Sequence, residues 1–242
     1  MLRRLQRPRS FLERAQPGEI FELFDGFKHR FTTGGEVSSL LVGIKRAVET
    51  SGSLEGLFAA GLGCSDESVL PALAEFVDRL RGFAGGPGAC ASLLSSPADG
   101  SACKRLNLYL RWMTRRDAVD PGPWTAVSPA LLIVPLDTHL FRISGGLGLT
   151  RRKQADLKTA VEVTHGFAAL SPRDPVRYDF ALTRLGINPA CRALEAGIAN
   201  PWGLDAESGP TGPSPCGPGN LPAPARGQRQ SSGSLSQQES QP

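Results

Sequence analysis

Long apolar runs are missing from this 242-residue chain, so no membrane span and no membrane partner are expected. Its start, Met1-Leu2-Arg3-Arg4, is basic but leads into polar residues rather than an apolar core, so no secretory signal is expected either. The five cysteines, Cys64, Cys90, Cys103, Cys191 and Cys216, have no paired spacing, and no zinc or iron–sulfur cluster of four can be drawn from them. Histidine is scarce: of the 3 present, His139 and His165 fall in helical contexts with no third ligand-like neighbour. No metal and no cofactor are expected, and the cytoplasm is the expected address. Alternating strand patterns are absent as well, which leaves an all-α body.

What is there divides into three parts. Residues 1–18 are basic and mixed, with Pro8 expected to break any helix, and read as a frayed terminus or a nucleic-acid arm. Residues 205–242 are rich in Pro, Gly, Ser and Gln with almost no aliphatic content, the composition of a disordered tail. The tail holds Asp205, Glu207 and Glu239 against Arg226 and Arg229, a net of minus one. The whole-chain charge of +4 thus becomes +5 on the body, mildly basic and compatible with a polyanion partner.

Residues 19–204 carry helical periodicity. Apolar residues recur at spacings of three and four over Glu19–Phe31, Glu36–Thr50, Leu54–Ala60 and Ser68–Phe83, with Ser65-Asp66-Glu67 as cap choices for the last. Ala91–Leu94 reads as a short apolar helix. Asp117–Pro129 reads as loop, and Leu131–Val134 as a buried apolar run. Thr138–Ile143 reads as a helix stopped by Gly145-Gly146, and Arg151-Arg152-Lys153 as the opening of another. Pro175–Phe180 leads into the last clear helix.

One stretch organises the functional reading. Gly100-Ser101-Ala102-Cys103 is a small-residue turn running into an amphipathic helix, with Leu106, Tyr109, Leu110 and Met113 on one face. Such a turn offers Gly100, Ser101 and Ala102 as exposed backbone at a helix N-terminus, where free N–H groups and the dipole suit a phosphate. Lys104 falls in the first turn, where that dipole disfavours its charged form. Thirty-three positions on, Val134-Pro135-Leu136-Asp137-Thr138-His139 places Asp137 as the N-cap of the next helix.

Gly-x-Ala-x-Lys before a helix, then an apolar run ending in Pro-x-Asp-Thr-His, resembles the helix-hairpin-helix DNA glycosylases (HhH-GPD). Gly100 matches their first hairpin glycine, Ala102 stands at the second, Lys104 matches the lysine of the bifunctional members, and Asp137 matches the catalytic aspartate. From Gly100 through Tyr178-Asp179-Phe180-Ala181-Leu182 to Gly186-Ile187, the chain is similar to a bacterial domain-of-unknown-function family. That family resembles a distant branch of the same superfamily, reminiscent of the archaeal oxidised-guanine glycosylases. The four-cysteine cluster of the endonuclease-three branch is missing. Superfamily members carry further helices before the segment matching Glu19, so an incomplete first lobe is expected here.

The resemblance implies two helical lobes with a cleft, double-stranded DNA as partner, and a damaged base flipped from the stack. It also implies Lys104 and Asp137 as catalytic residues, with Gly100, Ser101, Ala102 and Arg105 on the DNA backbone. A carboxylate near the sugar stabilises the charge that develops as an N-glycosidic bond breaks, and an amine can attack the sugar carbon. Trp112, Trp124 and Tyr109 are candidates for stacking on bases. Taken alone, each feature has a plainer reading. Lys104 then lies on a solvated face, Asp137 is only a cap, and the Arg111/Arg115/Arg116 and Arg151/Arg152/Lys153 clusters are solvated. Two alternatives therefore stand beside a glycosylase with lyase activity: a non-catalytic DNA-binding protein of this fold, and a helical interaction scaffold.

Overall fold

In a computed structural model, which describes residues 7–187, helix α3 (Gly34–Ser51) is the longest element and the one that the early helices pack on. Its start is closed reciprocally. The Glu36 N–H donates to Thr33 Oγ1 (3.3 Å), and the Thr33 N–H donates to the Glu36 carboxylate (2.9 Å). Against α3 lie α1 (Pro8–Arg14), α2 (Pro17–Leu23), α4 (Leu54–Ala59) and α5 (Leu70–Ala84). There follow α6 (Lys104–Thr114), α7 (Thr138–Gly146), α8 (Leu157–Leu170) and α9 (Asp179–Ile187), with α7 packed on α9. The described residues are mostly helical, as the periodicity predicts.

Several local expectations change. Pro8 opens α1 instead of breaking a helix, because at the first helical position its missing N–H leaves no bond unmade. The run predicted over Glu19–Phe31 stops at Leu23. Gly26 turns the chain (φ +66°), and a two-stranded ribbon follows, β1 (Lys28–His29) paired antiparallel with β2 (Thr32–Thr33). Ala91–Leu94 is not a helix. Cys90 adopts a left-handed conformation (φ +56°), and its carbonyl accepts from both Leu93 and Leu94 N–H, which closes a turn where four residues are too few to nucleate a helix. Arg151–Lys153 are irregular too, since the next helix starts only at Leu157, after the Asp156 cap. Asp66 does not cap α5: its carboxylate accepts from the Gly63 N–H (2.8 Å).

The main core gathers Phe76, Val77 and Leu80 of α5, Leu106 and Leu110 of α6, Leu140 of α7, and Val163 and Phe167 of α8. Through it runs the extended segment Leu132–Leu136, entirely buried; of the expected run Leu131–Val134 only Leu131 is half-buried, because it ends a 3-10 turn, Pro129–Leu131. The Val134 N–H is satisfied by Thr164 Oγ1 (3.1 Å). A smaller cluster holds Phe24 and Val37 with Phe27 and Leu93, and another holds Ala15, Ile20 and Val42. All described residues fall within one compact unit, Met1–Leu204. The expected tail from Asp205 to Pro242, like residues 1–6 and 188–204, lies outside the described residues.

The start of α3 tolerates no side chain at Gly34. Its N–H donates to the Phe27 carbonyl (2.7 Å), and a Cβ there would collide with the backbone oxygen of Phe24. Backbone cannot swing aside as a flexible side chain can. Gly34→Ala should therefore lower the unfolding free energy by about 2 kcal/mol or more in urea denaturation. Gly35→Ala, whose Cβ would meet only Thr33 Oγ1 at 3.9 Å, should change it by less than about 0.5 kcal/mol or stabilise slightly.

Candidate active site

The turn before α6 is built as its small residues suggest. A short 3-10 turn, Pro97–Asp99, ends at Gly100 in the left-handed region (φ +72°). Cys103 repeats that conformation (φ +46°) immediately before Lys104. Ala102 does not adopt it, so the methyl group that replaces the second hairpin glycine carries no backbone strain. The Gly100 carbonyl accepts from the Leu157 N–H (3.2 Å), which ties the turn to the start of α8. The Ala102 carbonyl accepts from Asn107 Nδ2 (2.9 Å), and Ser101 Oγ accepts from the Cys103 N–H (3.2 Å). Among the described residues no group accepts from the Ser101 and Ala102 N–H groups. They stand at the positive end of α6.

Lys104 begins α6 and Asp137 caps α7, and the structure brings them together: Lys104 Nζ is 3.5 Å from Asp137 Oδ2. The other oxygen, Asp137 Oδ1, accepts from the Leu140 N–H (2.8 Å), so the cap sets the rotation of the carboxylate that faces the amine. The lysine side chain is 50% exposed and the aspartate 13%. Both line a cavity of about 240 Å³. Lys104, Leu108 and Trp112, one turn apart along α6, form one wall; Asp179, Phe180 and Thr183 of α9 and Pro135 form the rest, with Val119. A larger, more open cavity of about 600 Å³ lies against Phe24, Phe27 and Gly34, but no lysine or cysteine lines it.

Sequence reasoning missed the charged floor of the smaller cavity. Arg111 is buried, with Nη1 2.8 Å from Asp179 Oδ1 and Nη2 3.0 Å from Asp120 Oδ2. Arg115 is buried as well, reaching Asp120, Asp174 (3.0 Å) and Asp117 (2.8 Å). Neither arginine lies on a solvated face or is free for a phosphate, which corrects that expectation; Arg116 alone of the three is exposed. The reason is pairing, since a guanidinium enters a core only where carboxylates meet its fork. No periodicity signals partners that lie in loops, although Asp179 opens a helix and stands in the stretch carrying the family resemblance. Burial pushes the Asp179 carboxyl up to about 6, with the Arg111 guanidinium only partly opposing it.

The remaining expected residues sort by exposure. Arg105 is exposed, and its guanidinium donates to the Ser92 carbonyl. Of the stacking candidates, Trp124 is buried against Phe58 and Tyr109, ring centroids 5.6 Å apart in each case. Burial pushes the Tyr109 phenol up to about 12. Trp112, 43% exposed, faces the cavity. Arg152 is engaged with Asp156 (2.7 Å), while Arg151 and Lys153 are exposed beside it. Burial raises the Cys103 thiol, and its Sγ–H points at the Ser95 carbonyl, so it makes a poor nucleophile. Among the described residues no three His, Cys, Asp or Glu side chains group to hold a metal, and no helix is long and apolar enough to cross a membrane.

The raised Asp179 carboxyl has a consequence for stability. A folded-state value above the unfolded one means that the native protein holds this proton more tightly. The resulting stabilisation is complete below the ordinary carboxylate range and is lost as pH rises through about 6. Asp179→Asn should therefore remove a fall of about 3 kcal/mol in unfolding free energy between roughly pH 4 and the folded value, read from urea denaturation across that range. An unchanged pH profile in the variant would refute the assignment.

No curated protein and no solved structure matches the chain. The family model described as "Protein of unknown function (DUF2400)" matches residues 1–188, and the chain belongs to that family.

Proposed function

We propose that this protein is a DNA glycosylase-like enzyme of helix-hairpin-helix type, cleaving a damaged base from duplex DNA and using Lys104 for lyase chemistry. The observation that carries the reading is the pairing of Lys104 Nζ with Asp137 Oδ2 at 3.5 Å, on the wall of one cavity and beside the unoccupied amides of the Gly100–Cys103 turn. An amine and a carboxylate 33 positions apart in sequence serve one sugar only if both reach it.

The chemistry follows from those atoms. The Lys104 ammonium gives a proton to Asp137, whose carboxylate is the nearest acceptor, and the free amine attacks C1′ of the deoxyribose. The electron pair of the N-glycosidic bond leaves with the base, which takes up a proton. The departing base takes that proton from Asp137, which restores the carboxylate that stabilises charge building on the sugar, held in orientation by the Leu140 N–H. Opening of the sugar ring yields a Schiff base with Lys104; loss of a C2′ proton then expels the 3′ phosphate. The Ser101 and Ala102 N–H groups, with exposed Arg105, Arg151 and Lys153, hold the backbone phosphates around the flipped nucleotide. Trp112, partly exposed on the cavity, offers a ring face to the base, whereas the Phe180 ring is already covered by the Arg111 and Arg184 guanidinium groups, 5.6 and 5.5 Å from its centroid.

Incubation with duplexes carrying an abasic site or an oxidised purine, followed by borohydride, should trap a covalent complex that Lys104→Ala abolishes. Asp137→Asn should bind duplex as the parent does but turn over about a hundredfold more slowly, as expected for loss of a positioned electrostatic group. Absence of trapping with every damaged duplex would remove the lyase step. Absence of base release as well would leave a DNA-binding protein without catalysis. Affinity for duplex should also fall steeply with salt, and salt-independent binding would favour an interaction scaffold over either.

A further inference from the structure

The ribbon between α2 and α3 ends in the most exposed large apolar side chain among the described residues. β1 and β2 pair Lys28 with Thr33 and His29 with Thr32, which leaves Arg30 and Phe31 at the tip. Phe31 is 91% exposed. By contrast Phe24, Phe58 and Phe76 are almost wholly buried, so the fold draws nothing from Phe31 that it draws from those rings. Two permanent cations, Lys28 and Arg30, and the His29 imidazole sit within three positions before the bare ring, all exposed.

The tip is carried on a stiff base. Phe27 packs edge-on against Phe24, ring centroids 6.1 Å apart, and its carbonyl accepts from the Gly34 N–H (2.7 Å). Thr33, the last residue of β2, caps α3 through Glu36. Glu36 Oε1 in turn accepts from Ser92 Oγ (2.5 Å), and the Ser92 carbonyl accepts from the Arg105 guanidinium. Arg105 is the neighbour of Lys104. A continuous chain of hydrogen bonds therefore joins the base of the ribbon to the first turn of α6.

We propose that the Lys28–Thr33 ribbon is a DNA wedge: Phe31 enters the base stack of a duplex while Lys28 and Arg30 lie against the phosphates on either side. An exposed ring on a rigid, positively charged support is the arrangement by which apolar side chains part base steps, with cations compensating the crowded phosphates. The partner is duplex DNA rather than an anionic membrane surface, because the hydrogen-bond chain from the ribbon ends at Arg105, in the first turn of the helix before which Ser101 and Ala102 N–H have no acceptor among the described residues. The wedge rests on the duplex-binding part of the proposed function and adds a contact that its chemistry at Lys104 does not supply.

The test uses the full-length chain and an undamaged duplex with 2-aminopurine in place of one adenine. Its fluorescence should rise severalfold as bound protein unstacks the base. Phe31→Ala, a change at an exposed side chain, should lose most of that rise and weaken affinity by about tenfold. Phe31→Trp should keep the rise. Lys28→Ala combined with Arg30→Asn, which tolerates the left-handed conformation at that position (φ +54°), should keep the rise at saturation. That pair should also reduce the slope of log affinity against log salt by about 2. An equal rise with Phe31→Ala, or wild-type binding without any rise, would overturn the wedge. So would Phe31-dependent uptake by phosphatidylserine vesicles with no binding to duplex. Borohydride trapping reads the other half separately. Trapping that depends on Lys104 while Phe31→Ala behaves as wild type removes only the wedge. Phe31-dependent unstacking without any trapping keeps the wedge and removes the lyase.

Discussion

The buried guanidinium of Arg111 is the interaction on which the candidate site depends. It projects from α6 and meets Asp120 in the following loop and Asp179 at the start of α9, joining α6 and its loop to a helix far along the chain. Arg115, one turn further on, repeats the device with Asp117, Asp120 and Asp174. Pairs so buried are poor contributors to net stability, because desolvating each charge offsets most of the attraction between them. What they provide is geometric. A guanidinium fork accepts few arrangements of carboxylates, so α9 docks on α6 in one register, and the cavity floor follows from that register.

That network also shows where the sequence was legible and where it was not. The α6 helix, the turn before it and the cap at Asp137 can be read directly, because each depends on residues within a few positions: small residues, then a helical stripe, then an Asx cap. Pairing Lys104 with Asp137 needed a resemblance, since no local rule connects positions 33 apart. The burial of Arg111 and Arg115 could not be read at all. An arginine is placed outside by default, and the carboxylates that bring these two inside come from loops without periodicity and from α9. The fate of Ala91–Leu94 has a different cause. Its apolar content fits a helix, but four residues next to a left-handed Cys90 form only a turn. Pro8 shows the converse, a residue read as a breaker that serves as a first helical position.

Surface and interior charges in this chain have separate tasks. Arg111 and Arg115 are consumed within the body, so the mildly basic net charge says little about how many cations a polyanion would meet. The exposed ones that matter to the proposed interface are fewer: Lys28 and Arg30 on the ribbon, Arg105 in the first turn of α6, and Arg151 and Lys153 on the loop that precedes α8. That loop is held near the Gly100 turn by the bond from Leu157 N–H to the Gly100 carbonyl, and the ribbon is held near Arg105 through Glu36 and Ser92. A net charge is thus a weaker guide than the hydrogen bonds deciding which cations share a neighbourhood.

Two ion pairs bound the same cavity, and their solvation assigns them different work. Arg111 and Asp179 are each about 3% exposed, so neither can release its partner without leaving a buried charge behind. Lys104 is half in water, and Asp137 keeps one oxygen committed to the cap of α7 and turns the other to the amine. Separating that second pair costs less than separating the first, because water reaches the half-exposed lysine. In the proposed chemistry the amine gives up a proton and moves to a sugar carbon, which suits the second environment and not the first. The buried pair holds the walls, and the half-exposed pair is the one that the proposed chemistry uses.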